Sequence, residues 1–321
     1  LGIGLGLGLC TWWTMIRMPL QSYRGPLPPL DAGQATLSAG LREDVIALAQ
    51  RIGERNVFIP TKLHEAADYI QAALQRAGYQ PRRQWFQVMR TDCANLEVEL
   101  PGTSQPEQIV VVGAHYDSVS GSPGANDNGS GVAALLALAR AWVGRKPART
   151  VRFVAFVNEE PPFFQTDQMG SLVYARACRQ QHQQVVAMLS LETIGYFNTA
   201  KGSQQYPFPV GLFYPPQGDF IGFVGNTANA KLVRRCVASF RRHAAFPSEG
   251  GALPASLPGI GWSDHWAFWQ VGYPALMVTD TAPFRYRFYH TPEDTPDKLD
   301  YDRLARVVTG LDKVIEDLAN H

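Results

Sequence analysis

Cysteine is scarce in this chain, and so is net charge. Four cysteines occur in 321 residues, at positions 10, 93, 178 and 236, and no two form a Cys-x-x-Cys pair. That spacing excludes the usual thiolate metal sites and a dense disulfide framework. Cys10 lies in an apolar N-terminal stretch, so the body holds three cysteines and at most one internal disulfide. The net charge of +1, with 18% charged residues, lacks the basic excess of a nucleic-acid binder. A hydrophobic content of 45% excludes disorder. No internal repeat occurs, and no low-complexity tract beyond the Gly-Leu start. What remains is a globular chain long enough for one large domain or two small ones. Its 23 prolines and 29 glycines suit many loops.

One long uncharged run is present. Residues 1–16 carry no charge, and Arg17 closes the run. Such a segment reads as a membrane anchor or as the apolar part of a signal peptide. No Ala-x-Ala site follows it, which favours the anchor. A lipoprotein reading through Cys10 is weaker, because Leu9 stands where a small residue is wanted. A buried N-terminal core segment is the plainer alternative. Residues 17–36 include Pro19, Pro26, Pro28 and Pro29 and are expected to form an extended linker. Residues 37–321 then form the body, expected in the periplasm or extracellular space.

Within the body, helix and strand signals alternate. Leu41, Val45, Leu48 and Ile52 fall at helical spacing. Thr61 is expected to cap a helix that stops near Gly78. Residues 85–89 and 96–100 alternate as strands do. The apolar runs 109–112, 151–157 and 185–191 predict strands covered on both faces. Helices are expected over 131–142, 169–178, 228–241 and 301–318, and a further strand over 274–279. Residues 198–225, rich in Pro, Gly and aromatics, read as an insertion or long loop. The alternation predicts an α/β sandwich with a largely parallel central sheet, whose ligands sit beyond the carboxyl ends of the strands.

Candidate ligands fall at those ends. The first apolar strand runs into His115, Tyr116 and Asp117; the second into Asn158, Glu159 and Glu160; the third into Glu192. Buried carboxylates at three strand ends need strong compensation, which a divalent cation supplies. Asp127 lies in Gly124-Ala125-Asn126-Asp127-Asn128-Gly129-Ser130-Gly131, at the entrance to a helix. Alone it would be an ordinary helix cap. Asp117, two residues beyond His115 on extended chain, is placed to orient the imidazole towards a metal. Glu159 and Glu160 must point different ways, one to metal and one to substrate. Near the C-terminus, His290 in a Pro-rich loop is a good last ligand, with His265 of Ser263-Asp264-His265 as a competitor. His64, His182 and His243 sit in polar helical contexts and read as surface residues.

Taken together these segments resemble the M28 family of metallopeptidases, the zinc aminopeptidases related to the bacterial leucyl and streptomycete enzymes. The resemblance covers about residues 105–300, with extension to 40–320. It implies a three-layer α/β/α sandwich with a mixed, largely parallel sheet of about eight strands. It implies two Zn²⁺ ions and peptide substrates. His115 and Glu192 would hold one ion, Glu160 and His290 the other, and Asp127 would bridge them. Glu159 would be the catalytic carboxylate, with Asp117 supporting the site. The family often has Asp where this chain has Glu192; both are hard oxygen ligands. Mixed N and O donors suit zinc, with cobalt or manganese as chemical substitutes. Two other functions stand beside the aminopeptidase. One is a glutaminyl-cyclase-like transferase with a single zinc. The other is a non-catalytic binding ectodomain on the same fold.

Overall fold

The computed structural model describes residues 15–321. Eight strands form one sheet in the order β1-β2-β4-β3-β5-β8-β6-β7. In chain order these are β1 (Arg82–Val88), β2 (Thr91–Leu100), β3 (Gln105–His115), β4 (Arg149–Phe156), β5 (Gln184–Glu192), β6 (Ile221–Asn226), β7 (Ser248–Leu253) and β8 (Ala275–Thr279). The central strands β4, β3, β5 and β8 run parallel, as does β6 with β7. β1, β2 and the β8–β6 junction are antiparallel. The sheet is therefore mixed and largely parallel.

Helices are α1 (Ala32–Val45), continued by a π-helical stretch over Ile46–Ile52, α2 (Pro60–Arg76), α3 (Gly131–Trp142), α4 (Gly170–Gln180), α5 (Ala230–His243), α6 (His265–Gln270) and α7 (Tyr301–Asn320). The period-2 rule explains the wholly apolar strands. Val110 and Val112 of β3 pack in the larger core with α1, α2, α3, α5 and α7. Ile109 and Val111 pack in a smaller core with α4 and α6. The result is a three-layer sandwich, thin on the α4/α6 side.

Several expectations change. α1 begins at Ala32, inside the stretch read as linker, because Asp31 forms a capping box with Gln34. Residues ahead of it are packed on the body: Met18 is buried, and Arg241 donates to the carbonyls of Pro19 and Leu20. α2 has Pro60 in its first turn and no side-chain cap, so Thr61 does not cap it. The 198–225 stretch ends in a strand, β6, and β7 was not predicted at all. Both are glycine-bearing and lack the β-branched density that marks a strand. Cys93, Cys178 and Cys236 are buried free thiols, so no disulfide joins them. Most of the expected anchor, 1–16, lies outside the described residues. Among the described residues, no helix is long and apolar enough to cross a membrane.

Candidate metal centre

The carboxyl ends of β3, β4 and β5 converge with two loops on one buried cluster. β3 delivers His115 and β5 delivers Glu192 as their last residues. β4 is followed by Asn158 with φ of 60°, a left-handed conformation that Asn tolerates and that turns Glu159 and Glu160 inward. Asp127 lies in the loop ahead of α3. Gly124 at its start has φ of 62°, and a Cβ there would come within 2.4 Å of the Asp127 carbonyl oxygen.

Two donor groups result, His115/Asp127/Glu192 and Asp127/Glu160/His290, each with its ligand atoms within 4.8 Å of one another. His115 Nε2 stands 3.3 Å from Asp127 Oδ1 and 3.3 Å from Glu192 Oε2. His290 Nε2 stands 3.0 Å from Asp127 Oδ2 and 3.2 Å from Glu160 Oε2. Asp127 thus offers a different oxygen to each group. Glu159 belongs to neither; its Oε2 is 3.9 Å from His115 Nε2. His290 is the most open member, with 29% of its side chain exposed, and the Tyr289 ring stacks on it at 3.8 Å.

The supports around this set are dense. His115 Nδ1 faces the Asp117 carbonyl oxygen at 3.2 Å and its carboxylate at 3.4 Å, which leaves Nε2 for the cluster. Asp117 also accepts the backbone N–H groups of Glu159 and Glu160. Val119 N–H donates to Glu160 Oε1. Ser263 donates to Glu192 Oε2 at 2.7 Å. The longer arm of Glu192 therefore reaches the cluster and is held there.

Charge explains why the set wants a cation. Burial alone would lower the His115 imidazole, but the Glu192 and Glu159 carboxylates hold it well above its ordinary value. His290 is likewise depressed by burial, yet Asp127 and Glu160 raise it to about 10. Burial and Asp127 push Glu160 up to about 7. Burial pushes Glu159 well above the carboxylate range, with Glu192 and Glu160 adding to it against His115. Arg152, the cation within β4, does not help, because it is spent on Glu99 at 2.6 Å, in the facing strand β2. The buried atoms His115 Nε2, Asp127 Oδ2 and His290 Nε2 have no hydrogen-bond partner. Orphaned ligand atoms on a mixed N and O set fit divalent metal, zinc in particular.

The structure brings together His115, Asp117, Asp127, Glu159, Glu160, Glu192 and His290. It leaves out His265, whose Nε2 donates to the Ile260 carbonyl and whose ring meets the edge of Trp269. His182 and His243 are exposed, and His64 is partly buried against Asp92. Three further residues position the ligand loops, a role the sequence reading did not assign to them. Buried Arg55 donates to the carbonyls of Tyr116, Pro123 and Gly124, tying the His115 and Asp127 loops together. Asp294 accepts from the backbone of Asn126 and Asp127. Asn128 bonds Leu191 and Thr193 on either side of Glu192. Only Asp294 could have been suspected, from its place four residues after His290.

A bridging carboxylate between two histidine-bearing donor groups, at the strand ends of an α/β/α sandwich, defines a metal-dependent hydrolase class. Residues 95–314 match the family model of Peptidase family M28, and the chain belongs to that family of metallopeptidases. It is 37% identical to the uncharacterized protein YfbL of Escherichia coli (strain K12), over 84% of this chain and 85% of that one. It is 29% identical to a probable leucine aminopeptidase of Trichophyton verrucosum, over 77% of this chain but only 65% of that protein. The fold is shared with a zinc aminopeptidase from Bacillus subtilis at TM-score 0.72 and 14% identity, covering 88% of this chain and 95% of that one. It is shared also with a Fimbriiglobus ruber glutaminyl cyclase, at TM-score 0.64 and 20% identity over 92% and 97%.

Proposed function

We propose that the protein is an aminopeptidase that removes N-terminal residues from peptides, with two zinc ions per chain. His115, Asp127 and Glu192 would hold one ion, and Asp127, Glu160 and His290 the other. When bound, such ions polarise a carbonyl and acidify a water. Glu159 is the proton carrier. Its carboxylate accepts the proton of the attacking water and returns it to the leaving amine nitrogen. Asp117 keeps the pair Glu159 and Glu160 aimed apart through their backbone N–H groups. The observation that carries this reading is the division of labour at Asp127, one oxygen to each histidine, with Glu159 outside both groups.

The glutaminyl-cyclase reading keeps support from the shared fold. It needs one metal, whereas this chain has a complete second donor group in His115, Asp127 and Glu192. The test is a metal count by elemental analysis, run beside assays on aminoacyl chromogenic substrates and on Gln-terminated peptides. Two zinc ions and release of N-terminal residues are expected. One ion with cyclisation of N-terminal Gln, and no residue released, would overturn the aminopeptidase.

We also propose that the body faces the periplasm or extracellular space, tethered by residues 1–16. The support is the uncharged run in the sequence. A chain lacking those residues is expected to be soluble and active; an insoluble, inactive one would place the segment in the fold.

A further inference from the structure

The metal centre lies on a line that crosses the sheet, and the strand order β4-β3-β5-β8-β6-β7 gives that line its direction. Glu192 ends β5, His115 ends β3, and Glu160 follows β4. The two donor groups therefore succeed one another from the β5 side to the β4 side, over two strand spacings, about 10 Å. Past Glu192, over β8, β6 and β7, lies a cavity of about 860 Å³. Gly222, Val224, Gly251, Met277 and Thr279 share its face of the sheet. Gly222 brings no side chain, and a Cβ on Gly251 would meet the Tyr214 hydroxyl at 2.8 Å, so glycine keeps the space open. Trp262 and Phe284, stacked on each other, line the same cavity.

At the other end of the line, past Glu160, stands a second aromatic pair. The rings of Phe58 and Phe163 stack with centres 6.2 Å apart and planes at 26°. Both residues are tied to the ligand loops. The Phe163 N–H donates to the Glu160 carbonyl oxygen. The Phe58 N–H donates to the Asn56 side chain, whose amide donates to the Ser118 carbonyl. The next residue, Val119, donates its N–H to Glu160 Oε1. Phe163 is buried, whereas Phe58 is 51% exposed. A lone exposed apolar side chain is ordinary on a protein surface. This one is seated on a buried ring and linked to a metal-centre carboxylate.

We propose that Phe58 receives the side chain of the second residue of the peptide, so that the enzyme prefers an aromatic or large aliphatic residue there. This rests on the aminopeptidase reading above. The cavity beside Glu192 suits one side chain, that of the residue removed. The rest of the peptide leaves the centre in the other direction, over β4. Successive side chains of an extended chain point opposite ways. With the first turned into the cavity, the second turns towards Glu160 and the Phe58 ring. An aromatic second residue gains an offset or edge contact with that ring. A Leu there removes apolar area from water. A Gly gains neither. Phe163 holds the platform in place, so little ordering is left to be done on binding.

The test measures release of Leu from the amides of Leu-Phe, Leu-Leu and Leu-Gly by the zinc-loaded full chain. kcat/KM on the Leu-Phe amide should exceed that on the Leu-Gly amide by roughly 3- to 10-fold, the worth of one aromatic contact. The Leu-Leu amide should fall between them. Phe58→Ser should bring the ratio close to one by lowering the Leu-Phe value. Phe58→Trp, which keeps a ring, should preserve it. If Phe58→Ser does not fold, as judged by its melting curve, Phe58→Leu should still lower Leu-Phe against Leu-Leu. A ratio near one in the wild type, or a ratio kept in Phe58→Ser, would overturn the proposal. So would an equal loss on all three amides in Phe58→Ser, which would mark a structural role. No release of Leu from any amide would overturn the aminopeptidase reading and this proposal with it. Release without preference for the second residue would overturn this proposal alone.

Discussion

Asp117 holds the backbone of Glu159: its Oδ1 accepts the Glu159 N–H at 3.2 Å, while its Oδ2 accepts the Glu160 N–H at 3.2 Å. The same side chain faces Nδ1 of His115. One buried carboxylate therefore sets the direction of a proton carrier, a ligand carboxylate and a ligand histidine.

Asp117→Asn should expose that arrangement. An amide offers one acceptor where the carboxylate offers two, and presents N–H to a backbone N–H. Turnover should fall roughly 10- to 100-fold, and stability should drop by about 1–3 kcal/mol, the scale of a charge-assisted hydrogen bond lost in a buried site. Steady-state kinetics and urea unfolding measure the two. Wild-type turnover in a folded variant would remove Asp117 from the site's support.

Glu159 and Glu160 are adjacent carboxylates with different assignments, and isosteric substitution separates them. Glu159→Gln should keep both ions and lose about 10²–10⁴-fold in turnover, the usual worth of general acid–base catalysis. Glu160→Gln should instead lose metal and melt at a lower temperature. Metal content, melting temperature and turnover on one substrate decide the matter. Loss of an ion from the Glu159 variant alone would reverse the assignment.

Removing metal should leave a folded but weaker protein. Metal bound at a hundred times its dissociation constant stabilises by about 2.7 kcal/mol per site. Exhaustive chelation should lower the melting temperature and abolish activity, and zinc should restore both. Full activity in a preparation shown by elemental analysis to lack metal would end the two-metal proposal.

His265 gives a pH signature independent of the ligands. Burial lowers its pKa from 6.5 to about 4. A depressed folded-state pKa means stability that is present above pH 6.5 and lost as pH falls towards 4, at most about 3 kcal/mol. Chelated wild type and His265→Gln, whose amide keeps a donor for Ile260, should be unfolded in urea at several pH values. The wild type should lose stability relative to the variant on acidification. Parallel curves would show that His265 does not stay neutral when buried.

Much of this protein was legible along the chain. The runs 109–112, 151–157 and 185–191 announced strands buried on both faces, and the residues that follow them named six of the seven site residues together with the Asp127 loop. That works because a parallel strand ends where its apolar run ends, and the next residue faces the crevice. His290 was less certain, since local sequence did not separate it from His265; only packing sent His265 against Ile260 and Trp269. Arg55 was invisible as a support, because its partners are backbone carbonyls from distant loops, and Asp294 stood out only by its place four residues after His290. The strands β6 and β7 carry Gly222, Gly250 and Gly251 where strands usually carry branched side chains, so pattern alone passed over them. The sheet admits them because β6 pairs with β8 and β7 pairs with β6, which holds their backbone, and the side chains missing at Gly222 and Gly251 leave room in the cavity beside Glu192. Strand ends and ligand types are local properties written in sequence. The cavity beside Glu192 follows from pairing across the sheet, and the two-sided use of Asp127 from two loops packed against the strand ends; only the folded chain decides either.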